Sequence, residues 1–466
     1  MSDDARAART ASSDAVARVA PGTWLCAVCI GLTLAVGFPG HLGIDSRQQL
    51  EAALAGSFYA WHPPAMAAVW MFANALVKGP FLMLLLQVTA WWLGLAWIAR
   101  SLFPGRRAWQ LAFFLGVGLF PPCFGHVTHI SKDAQMMSAL VLGVGVLVRF
   151  ERNEHPWPLW AALAALLYGS AVRYNGTAAV LPFVLWIPLC LSKGPLAAFD
   201  PPLRRRVVLA SGVALLAGSF AINAVLLPAD AGETPMTQTV AYDLMGLSAR
   251  TDRDLLPAID GAPQRTAAEY DAVYARGWTK YFAKPENRIA LGAAHAERFR
   301  EAWREAILSH PLAYLAHRWH TFAIATGFTD LAGFYVTIPW DWTRVELHYP
   351  RHGLEVSWER SGFSLLVRSW LGAAVENLPG LFRSWRYLLL AGIGLVVCAT
   401  RGARGRGWPV RSMLLLSSAC LYSGTYFFAG GQTNLRFHLW SVTAVVLAAA
   451  FLVHELRAHP AGERDA

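Results

Sequence analysis

The sequence predicts an all-α polytopic membrane protein with about ten (10–12) transmembrane helices. Three observations carry that expectation. Of 466 residues, 55% are hydrophobic and 15% charged, against about 45–50% and roughly 25% in soluble domains. The apolar residues gather in blocks of about 17–25, long enough to cross a hydrocarbon core as helix. Charge is also partitioned. Residues 229–384 hold 16 Lys/Arg and 18 Asp/Glu, so the chain's net charge of +10 resides entirely outside that region.

Taken in order, residues 1–20 form a polar, Ala/Arg-rich cytoplasmic tail. The block at 21–39 has no small-residue cleavage site and reads as a retained first span. Residues 63–77 open on Pro63-Pro64 and are short, which predicts a helix lying along the interface. Spans follow at 80–99, 108–125, 134–150, 157–172, 177–192 and 207–228, giving a seven-helix module over 21–228 with outer loops at 40–80 and 126–133. A large outer loop region, 229–384, comes next, and spans at 385–400, 409–428 and 435–454 fill a C-terminal segment, 385–455, before a cytoplasmic tail at 456–466. Two amphipathic stretches in the large region, 312–328 and 362–382, are placed at the interface; if both span, the total becomes twelve.

Basic clusters in short loops mark the cytoplasmic side. They stand at Arg6/Arg9/Arg18, Arg100/Arg106/Arg107, Arg149/Arg152, Lys193/Arg204/Arg205/Arg206 and Arg401/Arg404/Arg406/Arg411. This pattern explains the basic excess without a nucleic-acid partner. With the Ala/Arg/Gly-rich composition it predicts a bacterial inner-membrane protein whose N-terminus is cytoplasmic and whose large loop is periplasmic. The Cys26/Cys29 pair sits inside an apolar helix and reads as packing.

Ionisable groups beside membrane spans are costly and commonly functional. Four such groups fall on the outer face: Asp45-Ser46-Arg47 with His62 before Pro63-Pro64, Ser131-Lys132-Asp133, Arg173-Tyr174-Asn175, and the turn running from Gln432 through Asn434-Leu435-Arg436-Phe437-His438. Each has an ordinary reading. Asp45 suits a helix cap, Lys132-Asp133 a local pair at a helix start, and Arg173 and Arg436 snorkelling side chains. His126/His129 and His317/His320 have HxxH spacing without an adjacent glutamate, and no metal site is predicted from them. Convergence of carboxylates and cations on one surface favours chemistry. A carboxylate can deprotonate or orient an acceptor hydroxyl, while cations hold a phosphate as charge grows on the leaving group. That combination suits sugar transfer from a polyprenyl-phosphate donor to a lipid, glycan or protein acceptor.

On these residues the chain resembles the GT-C superfamily of integral-membrane glycosyltransferases, particularly the branch of protein O-mannosyltransferases and lipid A aminoarabinose transferases. The resemblance covers about residues 22–228 and the Leu435-Arg436-Phe437 turn. It implies that Asp45 and Asp133 are catalytic and that Pro63-Pro64 opens a juxtamembrane helix. Arg47, His62, Lys132, Arg173, Asn175 and Arg436 are expected to bind substrate. No cofactor is certain: a divalent metal stays possible, but a lone Asp45, where relatives have a paired acidic motif, puts dependence on it in doubt. His62, a weaker cation at neutral pH, stands where the resemblance would place a Lys. In the large loop, 239–244 and 303–315 read as two amphipathic helices covering the cavity, with Tyr242 a further substrate contact. The rival readings are a lipid-linked glycan transporter or flippase, which lines its path at mid-membrane depth, and an O-antigen polymerase or ligase relying on outer-loop arginines.

Overall fold

The computed structural model describes residues 21–151, 157–187, 200–228, 235–257, 266, 293–329, 344–430 and 434–458. The tails at 1–20 and 459–466, the loops holding Arg152 and Lys193, most of 258–292, residues 330–343, and Gln432 with Thr433 lie outside the described residues. The described residues are 79% helical, consistent with an all-α polytopic membrane protein. Among the described residues six helices are long and apolar enough to cross a membrane, or seven if one bent pair is a single span.

The chain starts with α1 (Pro21–Gly37), strand β1 (His41–Leu42), α2 (Ile44–Ala55), α3 (Ala65–Leu76) and α4 (Phe81–Leu102). The span expected at 108–125 is broken into α5 (Arg107–Gly118) and α6 (Pro121–Val127), bent by 68°. Pro121 and Pro122 lack the N–H groups that would continue α5 and are suited to begin a new helix. Trp91 Nε1 donates to Gly118 O at 3.2 Å, satisfying a carbonyl stranded by the break.

Strand β2 (His129–Ile130) leads into α7 (Lys132–Phe150), capped by Ser131, whose Oγ accepts from Ala134 N at 3.1 Å. Helices α8 (Trp157–Ala171) and α9 (Gly176–Val180) follow, the latter passing into a 3-10 turn over Leu181–Leu185. Within the span expected at 177–192 the α-helix gives way to this 3-10 turn, where Pro182 removes a helical donor; residues 188–192 lie outside the described residues. Helix α10 (Pro201–Leu226) starts six residues before the expected 207 because Asp200 caps it ahead of Pro201-Pro202.

The large loop region contributes α11 (Pro235–Thr251), α12 (Ala293–Ser309) and α13 (Pro311–Ala325). The single helix expected over 303–315 is split between α12 and α13, since Pro311 starts a new helix. A hairpin of β3 (Arg344–Tyr349) and β4 (Leu354–Glu359), unforeseen in the sequence, precedes α14 (Gly362–Asn377). Helices α13 and α14 have 15 and 16 residues, and neither is among the candidate spans. The chain ends in α15 (Ser384–Ala403), α16 (Val410–Ala429), a 3-10 turn over Leu435–His438, and α17 (Leu439–Ala458).

Helix α7 is the hub: 89% of its apolar window is buried, against 17% for the peripheral α15. Its contact with α4 depends on glycine. A Cβ at Gly145 would lie 2.6 Å from Gly94 O, and one at Gly94 would lie 2.6 Å from Val141 O. Lipid offers no hydrophobic drive between helices, so such small-residue contacts carry the packing. At the end of α7 away from Lys132, Glu151 binds the Arg411 guanidinium (2.5 Å) and Trp186 Nε1 (2.8 Å). Glu455 meets Arg411 N (3.1 Å) and Ser412 Oγ (2.5 Å), so α17 caps α16 at that end.

Candidate functional site

At the other end of the bundle, the N-termini of α7 and α17 meet the C-termini of α8 and α16. Two short contacts bring the segments at 40–80 and 126–133 to this point. Strands β1 and β2 pair in parallel, His41 with His129 and Leu42 with Ile130, and Ser46 Oγ donates to Ile130 O at 2.6 Å. Asp45 therefore sits beside Lys132 and Asp133 despite a separation of almost ninety residues.

Helix α2 starts at Ile44 with Gly43 as its cap, and no side chain caps it, so Asp45 is not the helix cap. Its carboxylate instead accepts from Arg436 NH2 at 2.8 Å, with Lys132 Nζ 3.7 Å away. Burial alone would push the Asp45 carboxyl upward. The Arg436 and Lys132 charges overcome that and hold it well below the ordinary carboxylate range. Asp45 is a quarter exposed, whereas the Asp133 side chain is 1% exposed.

Asp133 pairs with Arg173 through a short Oδ1–NH1 contact, not with its neighbour Lys132. Arg173 does not snorkel: its side chain is 9% exposed, NH2 donates to Tyr426 Oη at 2.6 Å, and Nε donates to Asn175 Oδ1 at 3.2 Å. Asn175 Nδ2 in turn reaches Thr425 Oγ1 at 2.8 Å. The Phe437 ring lies between two guanidinium groups, Arg173 at 5.1 Å and Arg436 at 4.8 Å from its centroid.

His62 is not a cation here. Lys132 Nζ donates to its Nδ1 at 2.9 Å, and its Nε2 donates to Gln48 Oε1 at 3.0 Å, the pattern of a neutral ring. Burial, reinforced by the nearby Lys132 ammonium, lowers its pKa to about 2. The cluster thus sets three cations, Lys132, Arg173 and Arg436, against two carboxylates, Asp45 and Asp133, leaving one excess positive charge. Asp133 Oδ2 and Arg436 Nε are buried without hydrogen-bond partners and stand 3.9 Å apart, too far to satisfy one another. A donor set of this sign, with both carboxylates already facing cations, suits an anion better than a divalent cation. Among the described residues no group of three or more His, Cys, Asp or Glu side chains is placed to hold a metal ion.

Two expected contacts fall elsewhere. Arg47 is exposed, and its carbonyl accepts from Tyr349 Oη at 3.3 Å, while its guanidinium takes part in none of these ion pairs. It lies two residues beyond Asp45, about 200° round the helix, whereas Gln48 shares the Asp45 face. Tyr242 is buried in the large loop region with its ring 5.4 Å from His317, where Val240, Ala241, Leu244, Leu247, Phe299 and Ala306 form a second core. Tyr422, Thr425 and Tyr426 were not anticipated; the available signal was hydroxyls at i, i+3 and i+4 near the end of an apolar span.

Asp45, Arg436, Lys132 and His62 therefore form one bonded set and Asp133, Arg173 and Asn175 another, and the two meet at one end of the bundle where Arg436 Nε approaches Asp133 Oδ2 at 3.9 Å. Comparison of the chain with protein-family models, with curated proteins and with solved structures gives no match.

Proposed function

We propose that the chain is a membrane glycosyltransferase that moves a sugar from a polyprenyl-phosphate donor to a hydroxyl acceptor at the periplasmic face of the bacterial inner membrane. The observation carrying this reading is a reachable, ionised Asp45 bridged by Arg436 and Lys132 inside a cluster with one excess positive charge. Only an anion relieves that excess, and the donor's phosphodiester supplies one.

The acceptor oxygen attacks the sugar's anomeric carbon, forming a new C–O bond. The bond from that carbon to the phosphate oxygen breaks, and its electron pair leaves with the polyprenyl phosphate, whose charge grows by one. The acceptor's proton passes to Asp45. In the unliganded cluster Asp45 is a weak base, because two cations hold it ionised. When the phosphate draws Arg436 and Lys132 toward itself, the carboxylate loses that stabilisation and its basicity rises at the moment of transfer. Arg173 stays on Asp133 and the Tyr426 hydroxyl, a preorganised wall that needs no rearrangement as charge develops.

In this reading the bent α5–α6 pair and the shorter apolar helices at Trp24–Gly37, Pro158–Ala171 and Gly176–Leu185 join the six long helices to give ten spans, with α3 along the interface. Arg100, Arg149, Arg401 and Arg411, at helix ends away from Asp45, then mark the cytoplasmic side. Incubating the protein in lipid nanodiscs with a panel of undecaprenyl-phosphate sugars tests the proposal. Release of undecaprenyl phosphate from one donor supports it. Inertness toward the whole panel, with and without cell-envelope extract as acceptor, removes it.

A further inference from the structure

A second charged cluster lies in the large loop region, fully buried and apart from the ion pairs of the site. Asp243 of α11 and Arg318 of α13 both have side chains with no exposure, joined by a 2.7 Å contact from Arg318 NH1 to Asp243 Oδ1. His317 Nε2 meets the same oxygen at 2.9 Å, and Trp303 Nε1 of α12 donates to Oδ2 at 2.9 Å. Burying such charges is expensive, and replacing them by apolar groups is commonly neutral or stabilising. Folding alone is therefore a weak reason for this arrangement.

What Arg318 does with its remaining donors suggests another reason. Its Nε donates to Phe427 O at 2.6 Å and its NH2 to Tyr426 O at 3.4 Å. Both are carbonyls of the last turn of α16, at the negative end of the helix dipole; Tyr426 O also accepts from Gly430 N at 3.0 Å. The same turn serves the site from its other side, where the Tyr426 hydroxyl receives Arg173 and Thr425 receives Asn175. One turn of helix is thus gripped by Arg318 through its backbone and by Arg173 and Asn175 through its side chains. Helix α13 is also held at its far end, where Trp385 N donates to Thr326 O at 3.1 Å and Arg383 NH1 to Gly327 O at 3.1 Å.

We infer that Asp243 and Arg318 are positioning residues that fix the last turn of α16, and so keep the Tyr426 hydroxyl on Arg173 and hold that guanidinium in place in the wall of the phosphate site. This inference rests on the proposed donor for its binding readout, though not for its structural one. Arg318→Lys keeps the charge but loses the planar fork that spans Asp243 and two carbonyls.

The test combines a fluorine label on Tyr426, introduced as 3-fluorotyrosine, with undecaprenyl phosphate binding in nanodiscs. Arg318→Lys is expected to move the 19F signal and to weaken binding about tenfold, the scale of one weakened charge-assisted hydrogen bond. In a Tyr426→Phe background the same substitution should add no further loss, because both act through one contact. An unmoved 19F signal, or binding losses that multiply, overturns the inference. If Arg318→Lys does not fold, the neutral pair Asp243→Asn with Arg318→Gln replaces it with the same readouts. Should the wild-type protein not bind undecaprenyl phosphate, the proposed function fails, and the 19F signal alone decides the positioning role.

Discussion

Arg436 and Asp45 touch each other, yet their removal should affect phosphate binding in opposite directions. With His62 neutral, the cluster carries one excess positive charge. Arg436→Gln removes a guanidinium and brings that excess to zero. A hydrogen bond to a charged group contributes about 1.5–3 kcal/mol net, so undecaprenyl phosphate should bind roughly 10- to 100-fold more weakly. Asp45→Asn removes a carboxylate that competes for Arg436 and Lys132 and raises the excess to two. Binding should then be unchanged or tighter, while turnover disappears. The assay is titration of nanodisc-embedded protein with undecaprenyl phosphate at about 0.15 M and 1 M salt. Partly exposed charges are screened at high salt, so the gap between the two variants should narrow there. Equal weakening by both substitutions would refute the electrostatic reasoning, because a merely structural pair loses function whichever partner is removed.

Other expectations follow from the same geometry. The His62 pKa is lowered by burial and Lys132 to about 2, below the ordinary 6.5. The ring's contribution to stability is thus complete above pH 6.5 and lost as pH falls below it; at pH 5 the loss is about 2 kcal/mol. Thermal midpoints measured from pH 7 to 5 should fall less steeply in His62→Gln than in the wild type; a parallel slope would contradict a neutral buried ring. Gly145→Ala places a methyl 2.6 Å from Gly94 O, and this overpacking should cost about 1–3 kcal/mol, seen as a lower thermal midpoint. Arg411→Ala breaks the pairs with Glu151 and Glu455 at the opposite end of the bundle. It should lower the thermal midpoint while leaving phosphate affinity at the wild-type value, and a changed affinity would show that the two ends are coupled.

The long spans were legible because a hydrocarbon core imposes a length on apolar segments that shorter-range effects rarely mask. The order of spans also put Asp45, Lys132, Asp133, Arg173 and Arg436 at the same end, and their mutual contacts agree with that. Partnering was harder to read. Lys132 and Asp133 are adjacent in sequence, yet each binds a residue far along the chain, since neighbouring helix positions point in different directions. Arg47 looked like a further cation, but its place on α2 turns it away from Asp45. The exact start of a helix decides such questions, and Gly43 gives a weak start signal. The β1–β2 contact involves only two residues in each strand, too few for any period to show. The break at Leu119–Phe120 was marked by Pro121-Pro122, whose effect on the backbone outweighs an apolar pattern running through both sides. Tyr242 was placed near the site because the large loop has no span to fix its register; it instead packs beside His317.

The most direct measurement is the 31P spectrum of nanodisc-embedded protein incubated with the proposed undecaprenyl-phosphate sugar donor and a hydroxyl acceptor, comparing wild type with Asp45→Asn. Transfer converts a phosphodiester signal into a phosphomonoester one. The account predicts conversion by the wild type, and by Asp45→Asn a bound donor whose diester signal persists. Conversion by Asp45→Asn at the wild-type rate would contradict it.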